Sequence, residues 1–156
     1  MGKILLAALL TLAATGAHAD NNAQKVVTNT SAGHTAQKIA ILKKMYSKQG
    51  MRSDYFPATP TLKNIFKRAE ALSTRENGDL CIDHDPITQG AYPEEIARTA
   101  RFRALANGNI EVRFKNFGST ARVEYRFICS QNRCLIDDLI EEEFGSFRNS
   151  TLKCLH

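Results

Sequence analysis

Asp83-His84-Asp85 places two carboxylates around one imidazole. Such a set can bind a divalent ion or work as an acid–base unit. Adjacent loop residues rarely all reach one ion, and Asp85-Pro86 suits a turn start with Asp83 capping the following backbone, the simpler reading. Asp138 is the sharper candidate. It lies in the apolar stretch Leu135–Ile140, downstream of Tyr125 and Phe127. If Cys129 faces Cys134, a regular hairpin sets Tyr125 opposite Asp138 and Phe127 opposite Ile136, and opposed side chains share a face. Asp138 would then enter an apolar interior with Tyr125, Phe127 and Phe114, where burial raises a carboxylate's pKa and suits it to proton transfer or ligand binding. Two plainer readings stand beside this one: Asp138 accepts bonds from Tyr125 or from helix backbone, or a bulge turns it outward.

A second set is purely electrostatic. Arg101, Arg103, Arg113, Lys115, Arg122 and Arg126 alternate with apolar residues, against Glu111 and Glu124. A basic sheet face can dock an acidic protein or an anionic envelope polymer. A solvated face with cross-strand ion pairs is the plainer reading. The run Glu141-Glu142-Glu143 reads as solvated, and would meet the basic residues if two copies pair.

The elements that must carry these residues follow from periodicity. Ile39, Leu42, Met45 and Tyr46 predict an amphipathic helix over residues 35–48, closed by Gln49-Gly50. Leu62, Ile65, Phe66, Ala69 and Leu72 predict a second, from an N-cap at Thr61 to about Thr74. Residues 79–93 read as an irregular loop, and Pro93 opens a short helical turn. From Arg98 the period becomes two. Asn107-Gly108, Gly118-Ser119 and Ser130–Arg133 separate four strands, an antiparallel meander with one apolar face. Residues 144–155 close as a short helix. Two helices before a meander make an α+β fold, whose apolar faces pack as a half-open cone.

The beginning of the chain gives its destination. Met1-Gly2-Lys3, the apolar run Ile4–Ala14 and Ala17-His18-Ala19 have the layout of a cleavable signal peptide over residues 1–19. The working protein would be periplasmic, with residues 20–34 as a flexible lead-in and residues 35–156 as one domain. Neither the run Ile4–Ala14 nor any other is long enough to span a bilayer. The four cysteines, Cys81, Cys129, Cys134 and Cys154, read as two disulfides in an exported chain. Three pairings are open. Cys129–Cys134 would staple a hairpin end, leaving Cys81–Cys154. The spacing fits no zinc site.

The formal charge is +5, and removal of Lys3 lowers it by one. It is too modest and scattered to argue for nucleic acid. Beyond the leader, histidines occur only at His34, His84 and His156. No Ser–His–Asp set, HExxH, phosphate loop or dinucleotide fingerprint is present, and no cofactor or metal is expected.

This order of elements resembles the nuclear-transport-factor-2-like (cystatin-like) cone superfamily, and within it small bacterial periplasmic proteins and lipoproteins. The residues that carry the likeness are Met45-Tyr46, the segment Cys81–Pro86, the strand Ile110–Phe114 and the strand Leu135–Ile140, over roughly residues 35–142. Relatives often carry an aromatic where Cys134 or Leu135 stands here. The resemblance implies a fold more than an activity, although some cone enzymes move protons with an interior acid. The expectation is therefore a non-enzymatic exported domain that binds another protein, for instance an immunity protein against a cell-wall-acting toxin. The alternatives are a ligand pocket or cone-type isomerase or lyase using Asp138 and Tyr125, and a structural role in the envelope.

Overall fold

The computed structural model describes residues 21–53, 55–76, 78 and 81–156. The expected signal peptide lies outside the described residues.

Helix α1 spans Asn21–Met45, so it begins well before the Thr35 expected. Ala23, Gln24 and Lys25 are competent helix formers, and an absent apolar stripe does not stop a helix that continues into one. Leu42, Met45 and Tyr46 are buried at its end. Gly50 begins a single 3-10 turn, Gly50–Arg52. A Cβ there would collide with the carbonyls of Lys44 and Met45, so the chain can fold back this tightly only at glycine.

Helix α2 spans Pro60–Glu76. Its N-cap is Thr59, not the expected Thr61: Thr59 Oγ1 accepts from the Leu62 amide at 3.2 Å, and Pro60 takes the first helical position. Leu62, Ile65 and Ala69 are buried. Fully burying a residue such as Leu62 contributes about 1.5–3 kcal/mol. Helix α3 covers Pro93–Thr99, again with proline at its start.

Strands β1 (Arg101–Ala104), β2 (Ile110–Asn116), β3 (Ser119–Cys129), β4 (Cys134–Glu141) and β5 (Gly145–Ser146) form one sheet in sequence order, and every neighbouring pair is antiparallel. The fold is α+β, with five strands among the described residues instead of the four expected. The extra strand is only two residues long, and Gly145, at φ +70°, lets the chain turn back onto β4. Ile136 bonds through its amide and carbonyl to Pro57 and Thr59, so the stretch before α2 covers part of the β4 edge. Helix α4 (Phe147–Cys154) closes the described chain.

Val112, Phe114, Val123, Tyr125, Ile136 and Leu139 are buried from the sheet, against Leu42, Leu62, Ile96 and Phe147 from the helices and Tyr46 just after α1. Phe66 of α2 stacks on Phe147 of α4 at 4.6 Å between ring centres. Disulfides join Cys129 to Cys134 and Cys81 to Cys154. Two such bonds suit an oxidising compartment. Among the described residues no helix is long and apolar enough to cross a membrane.

Candidate functional site

The β3–β4 hairpin decides where the candidate acids point. From Cys129–Cys134 to Phe127–Ile136 the register is the one expected. A bulge between Arg126 and Phe127 then shifts it by one residue. Asp138 therefore opposes Arg126, Tyr125 opposes Leu139, and Glu141 opposes Val123. A shift of one residue exchanges the two faces of a strand. The expected placement of Asp138 beside Tyr125 is thus corrected. Phe114 and Tyr125 are in the core and Phe127 packs on it half-buried, but Asp138 is not with them.

Asp138 is buried all the same. Its Oδ2 accepts from Ser146 Oγ at 2.6 Å and its Oδ1 from the Arg148 amide at 3.0 Å. Ser146 Oγ in turn accepts from the Asn149 amide, which caps α4. Asp138 thus anchors a helix start. Its neighbour Asp137 accepts from Thr59 Oγ1, Arg126 and Arg148 at 2.7 to 3.1 Å. Arg126 is spent on these two acids.

The acid on the interior face is Glu141, expected to be solvated. Its side chain is 1% exposed. Its Oε1 lies 2.8 Å from His84 Nε2, and His84 Nδ1 lies 2.6 Å from Asp83 Oδ1. One imidazole thus bridges a buried and an exposed carboxylate. Burial pushes the Glu141 carboxyl up, against the opposing pull of the His84 hydrogen bond and charge. Burial works against a charged His84, yet the bonds to Asp83 and Glu141 prevail and raise its pKa. Asp85 does form the expected turn, with Oδ1 accepting from the Ile87 amide and Oδ2 from Thr88 Oγ1. Among the described residues, no group of three or more His, Cys, Asp or Glu is placed to hold a metal. The Phe144 ring lies 4.8 Å from that of His84.

Two buried tyrosines lie behind this loop. Tyr46 donates to the Ile87 carbonyl at 2.9 Å, so the 2.6 Å contact between the two hydroxyls has Tyr125 donating to Tyr46. Burial drives both phenols well above their ordinary range, with Asp85 and Glu141 adding to the shift. Their work here is to hold the loop against the core.

On the opposite sheet face, Glu111 is 1% exposed beneath three arginines. Arg103 and Arg113 each bind it through two nitrogens at 2.8 to 3.3 Å, and Arg122 Nε lies 2.7 Å from it. Burial opposes its charge, but bonds from Arg113 and Arg103 hold the carboxyl below its usual range. The three arginine side chains remain 36% to 63% exposed. Arg101 bonds the carbonyls of Arg98 and Ala100, and Lys115 the Thr120 hydroxyl. Compared with known proteins, the chain matches no family model, no curated protein and no solved structure.

Proposed function

We propose that the protein is an exported, periplasmic binding domain, not an enzyme, and that it docks an acidic protein through the sheet face of β1–β3. The observation that carries this reading is Glu111. One buried carboxylate organises three exposed guanidinium groups, and its single charge leaves them in excess. Arg101 and Lys115 extend the same face, with only Glu124 added on the acidic side. Such a face is arranged before any partner arrives, so little side-chain ordering remains to be done on binding. Arg126, occupied by Asp137 and Asp138, contributes to the fold rather than to the patch.

Export is supported by the basic start, apolar run and Ala-His-Ala motif of the first nineteen residues, together with the two disulfides. The nuclear-transport-factor-2-like likeness rests on the residues quoted above. An immunity protein that covers a toxin is one concrete form of this reading. Pairing of two copies would instead bring the exposed Glu142 and Glu143 against the arginines.

The test is affinity capture of acidic proteins from periplasmic extract by the oxidised protein, beside its Arg101→Glu/Lys115→Glu variant. Both substitutions leave the Glu111 cluster intact. The expected result is one stoichiometric acidic protein, held by the parent, lost by the variant and released as salt rises. Equal retention by both would refute the docking face.

A further inference from the structure

The protein is basic, with 21 Lys and Arg against 16 Asp and Glu, and several of its carboxylates are ion-paired with arginine. Glu94 has Arg52, Glu111 has three arginines, and Asp137 has Arg126 and Arg148. Carboxylates without such a partner are concentrated in one place. A cleft of about 590 Å³ opens between the loop at Asp83–Gln89, the β2–β3 turn and the β4–β5 turn. Four carboxylates line it: Asp83, Glu141, Glu142 and Glu143. Among the described residues, none of the four is ion-paired with Lys or Arg. Asp83 and Glu141 share His84, and the one arginine in the wall, Arg122, is held 2.7 Å from Glu111.

Two further features point to a missing cationic donor. Phe144 stands 54% exposed at the cleft with its ring against His84. An aromatic face beside unpaired carboxylates is the usual setting for an organic cation. The Asn116 amide is oriented by its Nδ2–H bond to the Gln89 carbonyl at 2.8 Å, and among the described residues its buried Oδ1 has no donor. A bare metal ion suits the cleft poorly, because Asp83 and Glu141 are held apart on opposite nitrogens of one imidazole.

We infer that this cleft binds an organic cation, an alkylammonium or guanidinium group, between the carboxylates of Glu142 and Glu143 and the ring of Phe144, with Glu141 as the buried countercharge. The proposal does not rest on the acidic-partner reading above, although Arg122, held by Glu111, borders both sites. The cation can come from a free amine or from a lysine or arginine side chain of a peptide.

The experiment is a ¹H–¹⁵N NMR titration of the oxidised protein with three probes: cadaverine, an Ala-Lys-Ala/Ala-Arg-Ala peptide pair, and neutral 1,5-pentanediol. The expected result is saturable shifts at residues 83–89, 116–122 and 141–144, at roughly millimolar probe or below, with none from the diol. Tighter binding of cadaverine than of the peptides assigns the site to a free amine; the reverse order assigns it to a basic peptide side chain. Glu142→Gln/Glu143→Gln, at two exposed positions, should weaken binding about tenfold, and Phe144→Ala should weaken it as well. The proposal is overturned by no saturable shift, by shifts that the diol reproduces, or by unchanged affinity in the Gln variant.

Discussion

Asp138→Ala measures the consequence of the bulge directly. The substitution removes an ionised acceptor from Ser146 Oγ and from the Arg148 amide. Hydrogen bonds to charged groups contribute about 1.5–3 kcal/mol each, and an anion at a helix start about 0.3–1 kcal/mol more. Some of this returns, because water reaches the α4 start and Arg126 and Arg148 still have Asp137. A net loss of about 3 kcal/mol is expected. Asp138→Asn keeps the shape and one carbonyl acceptor for the Arg148 amide, so it should cost about 1 kcal/mol. Urea unfolding with the disulfides intact gives both numbers from the midpoints. A double-mutant cycle with Tyr125→Phe adds a geometric check. The two side chains lie on opposite faces of the hairpin, so their effects should add within about 0.5 kcal/mol. A coupling above about 1 kcal/mol would place Asp138 beside Tyr125 and refute the shifted register. So would an alanine variant as stable as the parent.

Two further outcomes follow from the same geometry. His84 has a raised folded-state pKa, so its stabilisation is complete below the unfolded value near 6.5 and is lost as pH rises through the raised value. The raised Glu141 acts in the same direction from about 4.5 upward, since the folded state favours its proton. Stability should therefore fall from mildly acidic to mildly alkaline pH, and denaturation midpoints across that range should show His84→Gln losing the upper part of the slope; an unchanged slope would remove His84 as its source. Serine at Cys81 and Cys154, separated by 73 residues, should cost about 4 kcal/mol, against about 2 kcal/mol for the five-residue separation of Cys129 and Cys134. A reversed order in unfolding measurements would contradict the loop-closure account.

The meander was legible because alternation such as Ile110-Glu111-Val112-Arg113-Phe114 has one physical meaning, a half-buried strand. The apolar stripe of α2 was legible for the same reason at a different period. The disulfide pairing followed from the polar loop between Cys129 and Cys134. The site was much less legible. Nothing in Ile136-Asp137-Asp138 announces a bulge, since no glycine or proline marks it, yet the one residue left unpaired opposite Arg126 and Phe127, Asp137, exchanged the roles of Asp138 and Glu141. Glu141 also stands first in a run of three glutamates, whose composition reads as solvent-facing. Its burial depends on His84, which is 57 residues away in sequence. The Arg–Glu111 cluster was visible as alternating charge, but its convergence on one carboxylate depends on the lateral pairing of three strands.

The Cys81–Cys154 bond makes a covalent ring of everything from the loop before α3 to the end of α4, with α1 and α2 outside it. Tension applied to the two ends of the chain would pass through the bond and bypass the sheet. The 73-residue separation corresponds to about 250 Å of chain that cannot pay out under load. Stretching would peel α1 and α2 away and stop at Cys81, leaving β1–β5 slack inside the ring. A single peptide-bond cut within the ring would likewise release no fragment. Mechanically the protein is a short extensible leader attached to an inextensible knot, and the arginine face, the acidic cleft and the His84 bridge all lie on the part that force does not reach.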